Sequence, residues 1–102
     1  MIQKNNIFSK IYELVKKIPS GKVSTYGDIS NYLLIKNPKV VGWALHANKS
    51  EGVPCHRVVN KKGNLSKSYA FGGENEQRQK LKKEGVKFSK GVVDLKKCKV
   101  CL

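Results

Sequence analysis

Acidic side chains are scarce in this chain. Seven Asp and Glu stand against twenty-one Lys and Arg, a formal charge of +14. That balance is self-repelling unless a polyanion is the working partner, so nucleic acid heads the candidate partners. Long hydrophobic runs are also missing: no apolar stretch approaches the ~20 residues of a membrane-spanning helix, and the expectation is a soluble protein with no membrane partner. The opening residues, Met1 to Asn6, lack the apolar region and small-residue cleavage site of a secretory signal, which makes cytoplasmic location the expectation. Neither an internal repeat nor a linker long enough to separate domains is present. The three cysteines cannot all pair within the chain, and a reducing compartment keeps them as thiols.

What remains is 102 residues, 39% hydrophobic, enough Ile, Leu, Val and aromatics for one small domain with a core over residues 6–88 and a lysine-rich tail over 89–102. Ile7, Ile11, Leu14, Val15 and Ile18 recur at helical spacing and predict a first helix over about 6–18, stopped by Pro19-Ser20-Gly21. After a short extended piece, Lys22-Val23-Ser24, the three-residue spacing of Thr25 and Asp28 gives the N-terminus of a second helix that turns Ile29, Leu33 and Leu34 inward. Asn37-Pro38 caps a third helix over about 38–47, and the pair has the length and spacing of a helix-turn-helix. Val53 to Val59 is rich in strand formers and Asn60-Lys61-Lys62-Gly63-Asn64 has turn chemistry, which predicts a basic β-hairpin, or wing. Glu74 and Glu76 at one end, with Lys80, Lys82 and Lys83 at the other, suit the dipole of a fourth helix ended by Gly85. The fold class expected is therefore mainly α, a winged helix-turn-helix with a small hairpin wing.

The sharpest local signal is Cys55 beside His56 in Pro54-Cys55-His56-Arg57. A nucleophilic thiol needs help to ionise at neutral pH. Neighbours on a strand point to opposite faces, so direct contact between the two is not guaranteed, and a bridging water would solve the geometry. Taken alone, the dipeptide reads first as a buried structural Cys next to a surface His. Four blocks supply more: Gly21-Lys22-Val23-Ser24-Thr25-Tyr26, Val41-Gly42-Trp43-Ala44-Leu45, Pro54-Cys55-His56-Arg57-Val58-Val59 and Glu84-Gly85. In this order and spacing, from Gly21 to Gly85, the chain resembles the C-terminal domain of the O6-alkylguanine-DNA alkyltransferases, suicide DNA-repair proteins.

The resemblance implies a role for each matching residue. Cys55 would accept the alkyl group from a flipped-out guanine and keep it irreversibly. His56 would deprotonate the thiol through a water, Glu84 would orient the imidazole, and Asn48 would tie the turn before the active-site segment. Tyr26 would sit by the phosphate flanking the flipped nucleotide and hydrogen-bond the guanine. Thr25, Tyr26, Lys39, Gly42, Trp43 and Arg57 would contact DNA, with Gly42 letting its helix approach the minor groove. The implied partner is double-stranded DNA containing O6-alkylguanine, bound by a monomer that needs no cofactor and no metal and joins the nucleoid when on DNA.

The chain also departs from that pattern. Lys39 stands where the family usually has an intercalating Arg, and an ammonium lacks the flat face of a guanidinium. Trp43 occupies a variable position, and burial is the expectation for its indole. The segment from Ser66 to Gly73, with Ser68-Tyr69-Ala70-Phe71 at its centre, matches only in part. Together with Gln77, Leu81 and Glu84-Gly85-Val86 it is closer to the alkyltransferase-like proteins, which bind alkylated guanine and carry Trp or Ala where this chain has Cys55. Cys98 and Cys101 form a Cys-x-x-Cys without a second pair, so ordinary exposed thiols in a frayed tail are expected rather than zinc ligands. Two other functions stay open: a lesion-binding sensor that does not react, and a winged-helix regulator of undamaged DNA.

Overall fold

A computed structural model describes residues 3–50, 52–66, 69 and 71–102, with side chains from residue 7 onward. Helix α1 (Gln3–Lys16) buries Ile11, Leu14, Val15 and, just beyond its end, Ile18, the stripe that the spacing predicts, while Ile7 stays exposed. Strand β1 (Ser24–Thr25) leads straight into α2 (Tyr26–Tyr32), where Thr25 Oγ1 accepts the Asp28 N–H at 3.1 Å. Helix α3 (Lys39–Ala47) follows after a tight connection, with Asn37 Oδ1 accepting the Lys39 N–H at 3.0 Å. Leu34 does not turn inward as expected. It adopts φ 60° between the two helices and is 89% exposed, because the chain reverses there and α2 has already ended.

Helix α3 packs on both α1 and α2, and the Tyr12 hydroxyl on α1 donates to Ala44 O at 2.7 Å. The main core gathers Ile11, Val15, Ile29, Val41 and Ala44 from the three helices with Val53, Cys55 and Val58 from the segment that follows them. Burying such aliphatic side chains contributes about 1.5–3 kcal/mol each relative to exposure, which anchors the Cys55 segment to the helical layer.

The predicted hairpin over 53–65 is not formed. Cys55–Arg57 closes a 3₁₀ turn, and the next two residues, β2 (Val58–Val59), pair in parallel with β1 in the register Ser24 to Val58 and Thr25 to Val59. The turn chemistry at Asn60 is real: its Oδ1 accepts the Lys62 and Asn64 N–H groups at 2.9 and 2.8 Å. Among the described residues no strand returns beside β2, whose partner comes from thirty-odd residues earlier.

Helix α4 (Gly73–Lys83) is followed by the hairpin the molecule does have, β3 (Phe88–Ser89) with β4 (Val92–Val93), and by the short α5 (Leu95–Cys98). Its two-residue loop, Lys90-Gly91, has positive φ at both positions, 55° and 86°, as a tightly twisted hairpin turn requires. The expected frayed tail is likewise replaced by structure. Val23 N–H donates to Cys98 O at 2.9 Å, and Val100 N–H donates to Val23 O at 2.8 Å. Val23, Val59, Leu81, Val86, Val93 and Cys98 form a second core cluster. Cys98 is 4% exposed and only Cys101 of the pair faces solvent.

Gly63 joins this second layer to the turn after β2. Its φ is +85°, and a Cβ there would lie 2.5 Å from Val93 O, against backbone that cannot yield cheaply. Gly63→Ala is expected to cost about 2–3 kcal/mol, from left-handed strain plus the clash, read as a lower denaturation midpoint. An unchanged midpoint would mean that the turn can separate from β4 at no cost.

Candidate active site

Helix α4 presents Gln77, Lys80, Leu81 and Glu84 at helical spacing toward the Cys55 segment. Gln77 is 1% exposed, and its amide donates to His56 O at 3.1 Å and Val58 O at 3.0 Å while its Oε1 accepts the Ser66 N–H at 2.8 Å. One side chain thus holds the 3₁₀ turn, β2 and the start of the pocket wall together. Sequence reasoning did not place Gln77 in the site; the i, i+3, i+4, i+7 register it shares with Glu84 was the available signal.

Glu84, at the C-cap of α4, accepts two hydrogen bonds from Arg57, Nε to Oε1 at 3.0 Å and Nη2 to Oε2 at 2.7 Å. His56 Nε2 lies 2.9 Å from the same Oε2. Arg57 Nη1 donates to Ile18 O at 2.7 Å, so the guanidinium also ties the end of α1 to the site. Burial acts to raise the Glu84 pKa, but the hydrogen bonds from Arg57 and His56 outweigh it and hold the carboxyl below its ordinary range. For His56 the order reverses. Burial, aided by the charges of Arg57 and Lys80, lowers its pKa despite the Glu84 carboxylate, which leaves a neutral imidazole at pH 7.

Cys55 is 5% exposed and follows Pro54 at the start of the 3₁₀ turn. Its Sγ accepts from Asn48 Nδ2 at 3.3 Å and lies 3.9 Å from Leu45 O, to which the thiol donates. Asn48 itself is buried and cross-bonded to Ser50, donating to its O at 2.7 Å and accepting its N–H at 3.2 Å. Burial pushes the Cys55 pKa up, and the Asn48 hydrogen bond offsets part of the rise. No hydrogen bond joins the thiol to the His56 ring among the described residues, so Cys and His are brought to one site without a direct hydrogen bond.

Cys55 lines a cavity of about 500 Å³ between α3 and the segment before α4. Tyr26, Lys39, Gly42, Trp43, Ser66 and Tyr69 line it, with Gln77 and Leu45 deeper in. Burial raises the Tyr26 pKa against a hydrogen bond with Ser66, which keeps the phenol protonated. Lys80 Nζ donates to the Tyr69 hydroxyl at 2.8 Å and lies 5.3 Å from the centroids of both the Tyr69 and Phe71 rings. That arrangement fixes the aromatic wall. Ser68 and Ala70, named in the sequence reading of this wall, lie outside the described residues.

Two expectations for DNA contacts, at Thr25 and Arg57, and the expected burial of Trp43 need correction. Thr25 is buried, its hydroxyl committed to capping α2. Arg57 directs its guanidinium inward to Glu84 and Ile18, because a charge so placed is stabilised by the carboxylate and carbonyl. Trp43, expected inside, is 59% exposed on the outer face of α3. Lys39 is exposed on that face too, and a Cβ at Gly42 would meet nothing of the protein. Among the described residues no group of three or more ligating side chains stands together.

A buried Cys, a neighbouring His–Glu pair and a cavity beside an exposed helix thus meet in one site. Residues 6–86 match the family described as 6-O-methylguanine DNA methyltransferase, DNA binding domain, and the chain belongs to that family. It is 40% identical over 86 residues to alkyltransferase-like protein 1 of Schizosaccharomyces pombe, covering 82% of this chain and 80% of that one. To the methylated-DNA–protein-cysteine methyltransferase of Methanocaldococcus jannaschii it is 38% identical over 86 residues, 79% of this chain but 50% of the relative. This chain therefore spans about half the length of that methyltransferase.

Among solved structures, the S. pombe alkyltransferase-like protein bound to damaged DNA containing O6-carboxymethylguanine superposes with a TM-score of 0.81 at 35% identity, covering 96% of this chain and 97% of that one. The Mycobacterium tuberculosis methyltransferase in complex with DNA gives 0.71 at 28% identity, covering 78% and 49%. The shared architecture is mostly helical with a small sheet.

Proposed function

We propose that this protein binds duplex DNA through the outer face of α3, admits an O6-alkylated guanine to the cavity, and transfers the alkyl group to Cys55. The position of Cys55 in the lining of a cavity large enough for a nucleobase carries the reading. Helices α2 and α3 act as the helix-turn-helix pair, with Lys39 and Trp43 directed at DNA and the open space at Gly42 allowing close approach.

In the transfer, the thiol proton leaves through a water to the neutral His56 ring, whose positive form Glu84 stabilises. Sulfur then attacks the alkyl carbon. A C–S bond forms, the C–O6 bond breaks, and its electron pair stays on the guanine, which takes up a proton within the pocket with the Tyr26 hydroxyl as nearby donor. The thioether is permanent, so each molecule reacts once. The protein works as an intracellular monomer without a cofactor; among the described residues no helix is long and apolar enough to cross a membrane. Intact-mass measurement after incubation with a duplex carrying O6-methylguanine tests the reading: the expected result is one methyl group per molecule, on the Cys55 peptide.

A second reading, lesion binding without transfer, is favoured by the thiol itself. Burial disfavours the thiolate, the S–H is satisfied by Leu45 O, and among the described residues no hydrogen bond joins it to the His56 ring. Tight, lesion-selective binding with no mass change would select this reading.

The charge makes a separate prediction. If the lysines neutralise phosphates, affinity for undamaged duplex should fall by roughly tens to thousands of fold between low and physiological salt, with a linear log–log slope. A flat salt titration would remove nucleic acid as the reason for the +14 balance.

A further inference from the structure

Five large apolar side chains are exposed among the described residues: Ile7, Tyr32, Leu34, Trp43 and Leu102. Of these, Trp43 alone lines the cavity that Cys55 faces. An indole can bury roughly 150–250 Å² of mostly apolar surface, and leaving it 59% exposed on a functional face forgoes much of that gain. Among the described residues no ring and no cation lies over its faces, whereas the opposite aromatic wall is fully engaged: Tyr69 packs on Phe71 at 5.8 Å and beneath the Lys80 ammonium. Trp43 sits one turn after Lys39 and directly after Gly42, where the helix surface is lowest, so the ring stands at the rim between the cavity and the face that meets DNA.

A nucleobase leaving a duplex loses stacking on both faces, and a planar apolar side chain at the cavity rim restores one of them. A phosphate offers nothing to the face of an indole. We infer that Trp43 is the stacking surface for the extrahelical purine at the mouth of the cavity, and thereby sets the preference for a lesion-bearing nucleotide over intact duplex. The inference rests on the base-flipping part of the proposed function.

The chain has one tryptophan, so its intrinsic fluorescence reports on this residue alone. In a Cys55→Ala background, which removes the acceptor, binding is measured to two duplexes of one sequence with either O6-methylguanine or guanine at the centre. The lesion duplex should quench the indole more strongly than the intact duplex at equal occupancy. Trp43→Ala should weaken lesion binding about tenfold, the scale of one base–aromatic stack, and weaken intact-duplex binding by several-fold less. Trp43→Phe should recover most of the loss. Equal quenching by both duplexes, or equal losses on both, would make Trp43 an ordinary groove contact and overturn the inference while lesion preference survives. If the Cys55→Ala parent shows no lesion preference, the proposed function falls and the inference with it.

Discussion

Cys55→Ala protein is expected to form no alkyl adduct with O6-methylguanine duplex while still binding it. The sulfur is the nucleophile, and its docking value is small: it faces the cavity from a buried position whose shape is set by Asn48, Leu45 and Pro54. Replacing thiol by methyl leaves Asn48 Nδ2 still bonded to Ser50 O, so the turn keeps its main tie. Cys55→Ser should be equally inert, because a hydroxyl at this site has no route to its alkoxide at neutral pH. The measurement is intact mass plus peptide mapping. An adduct surviving on Cys98 or Cys101 in the alanine variant would show that the acceptor lies elsewhere, although the burial of Cys98 in the second core cluster argues against that site.

Glu84→Gln is the other large effect, and it acts on both stability and rate. The carboxylate neutralises Arg57 and bonds His56 in a site where the three side chains are 13–17% exposed. An amide there keeps one acceptor and turns its NH₂ toward groups that are themselves donors. Breaking such a partly buried pair should cost about 2–4 kcal/mol at neutral pH. Because the folded-state pKa of Glu84 is lowered, its contribution is fully present above the unfolded pKa and is lost as pH falls through the folded one. The gap in stability between wild type and variant should therefore close in acid.

The rate carries a distinct signature. Transfer needs neutral His56, so its acid limb follows the imidazole; removing the carboxylate lowers that pKa further and should shift the limb to lower pH while the plateau drops by about 10–100-fold. Single-turnover rates across pH would read both changes. An unmoved limb with an undiminished plateau would remove His56 and Glu84 from the reaction.

Much of this site was legible in the chain itself because its signals are local. The apolar stripe of α1, the Thr25–Asp28 cap and the Pro54-Cys55-His56-Arg57 block each depend on residues within one or two turns, and such spacing survives folding unchanged. Even the pairing of His56 with Glu84 across 28 residues was readable through the family resemblance.

What only the tertiary structure decided is where each of these signals faces. Val58 and Val59 have strand character in any reading, but their partner is Ser24–Thr25 rather than the chain beyond Asn60, and no local pattern encodes a parallel pairing over such a separation. Arg57 looks like a phosphate contact until the C-cap of α4 places Glu84 within 2.7 Å, when Coulomb attraction in a half-buried site draws it inward. Cys98 looks like a tail thiol until Val23 takes the final residues alongside β1 and buries it. Trp43 shows the converse. Its size predicts burial, but the inner face of α3 is already filled by Val41, Ala44 and Leu45, and helical geometry leaves its neighbour no direction except outward.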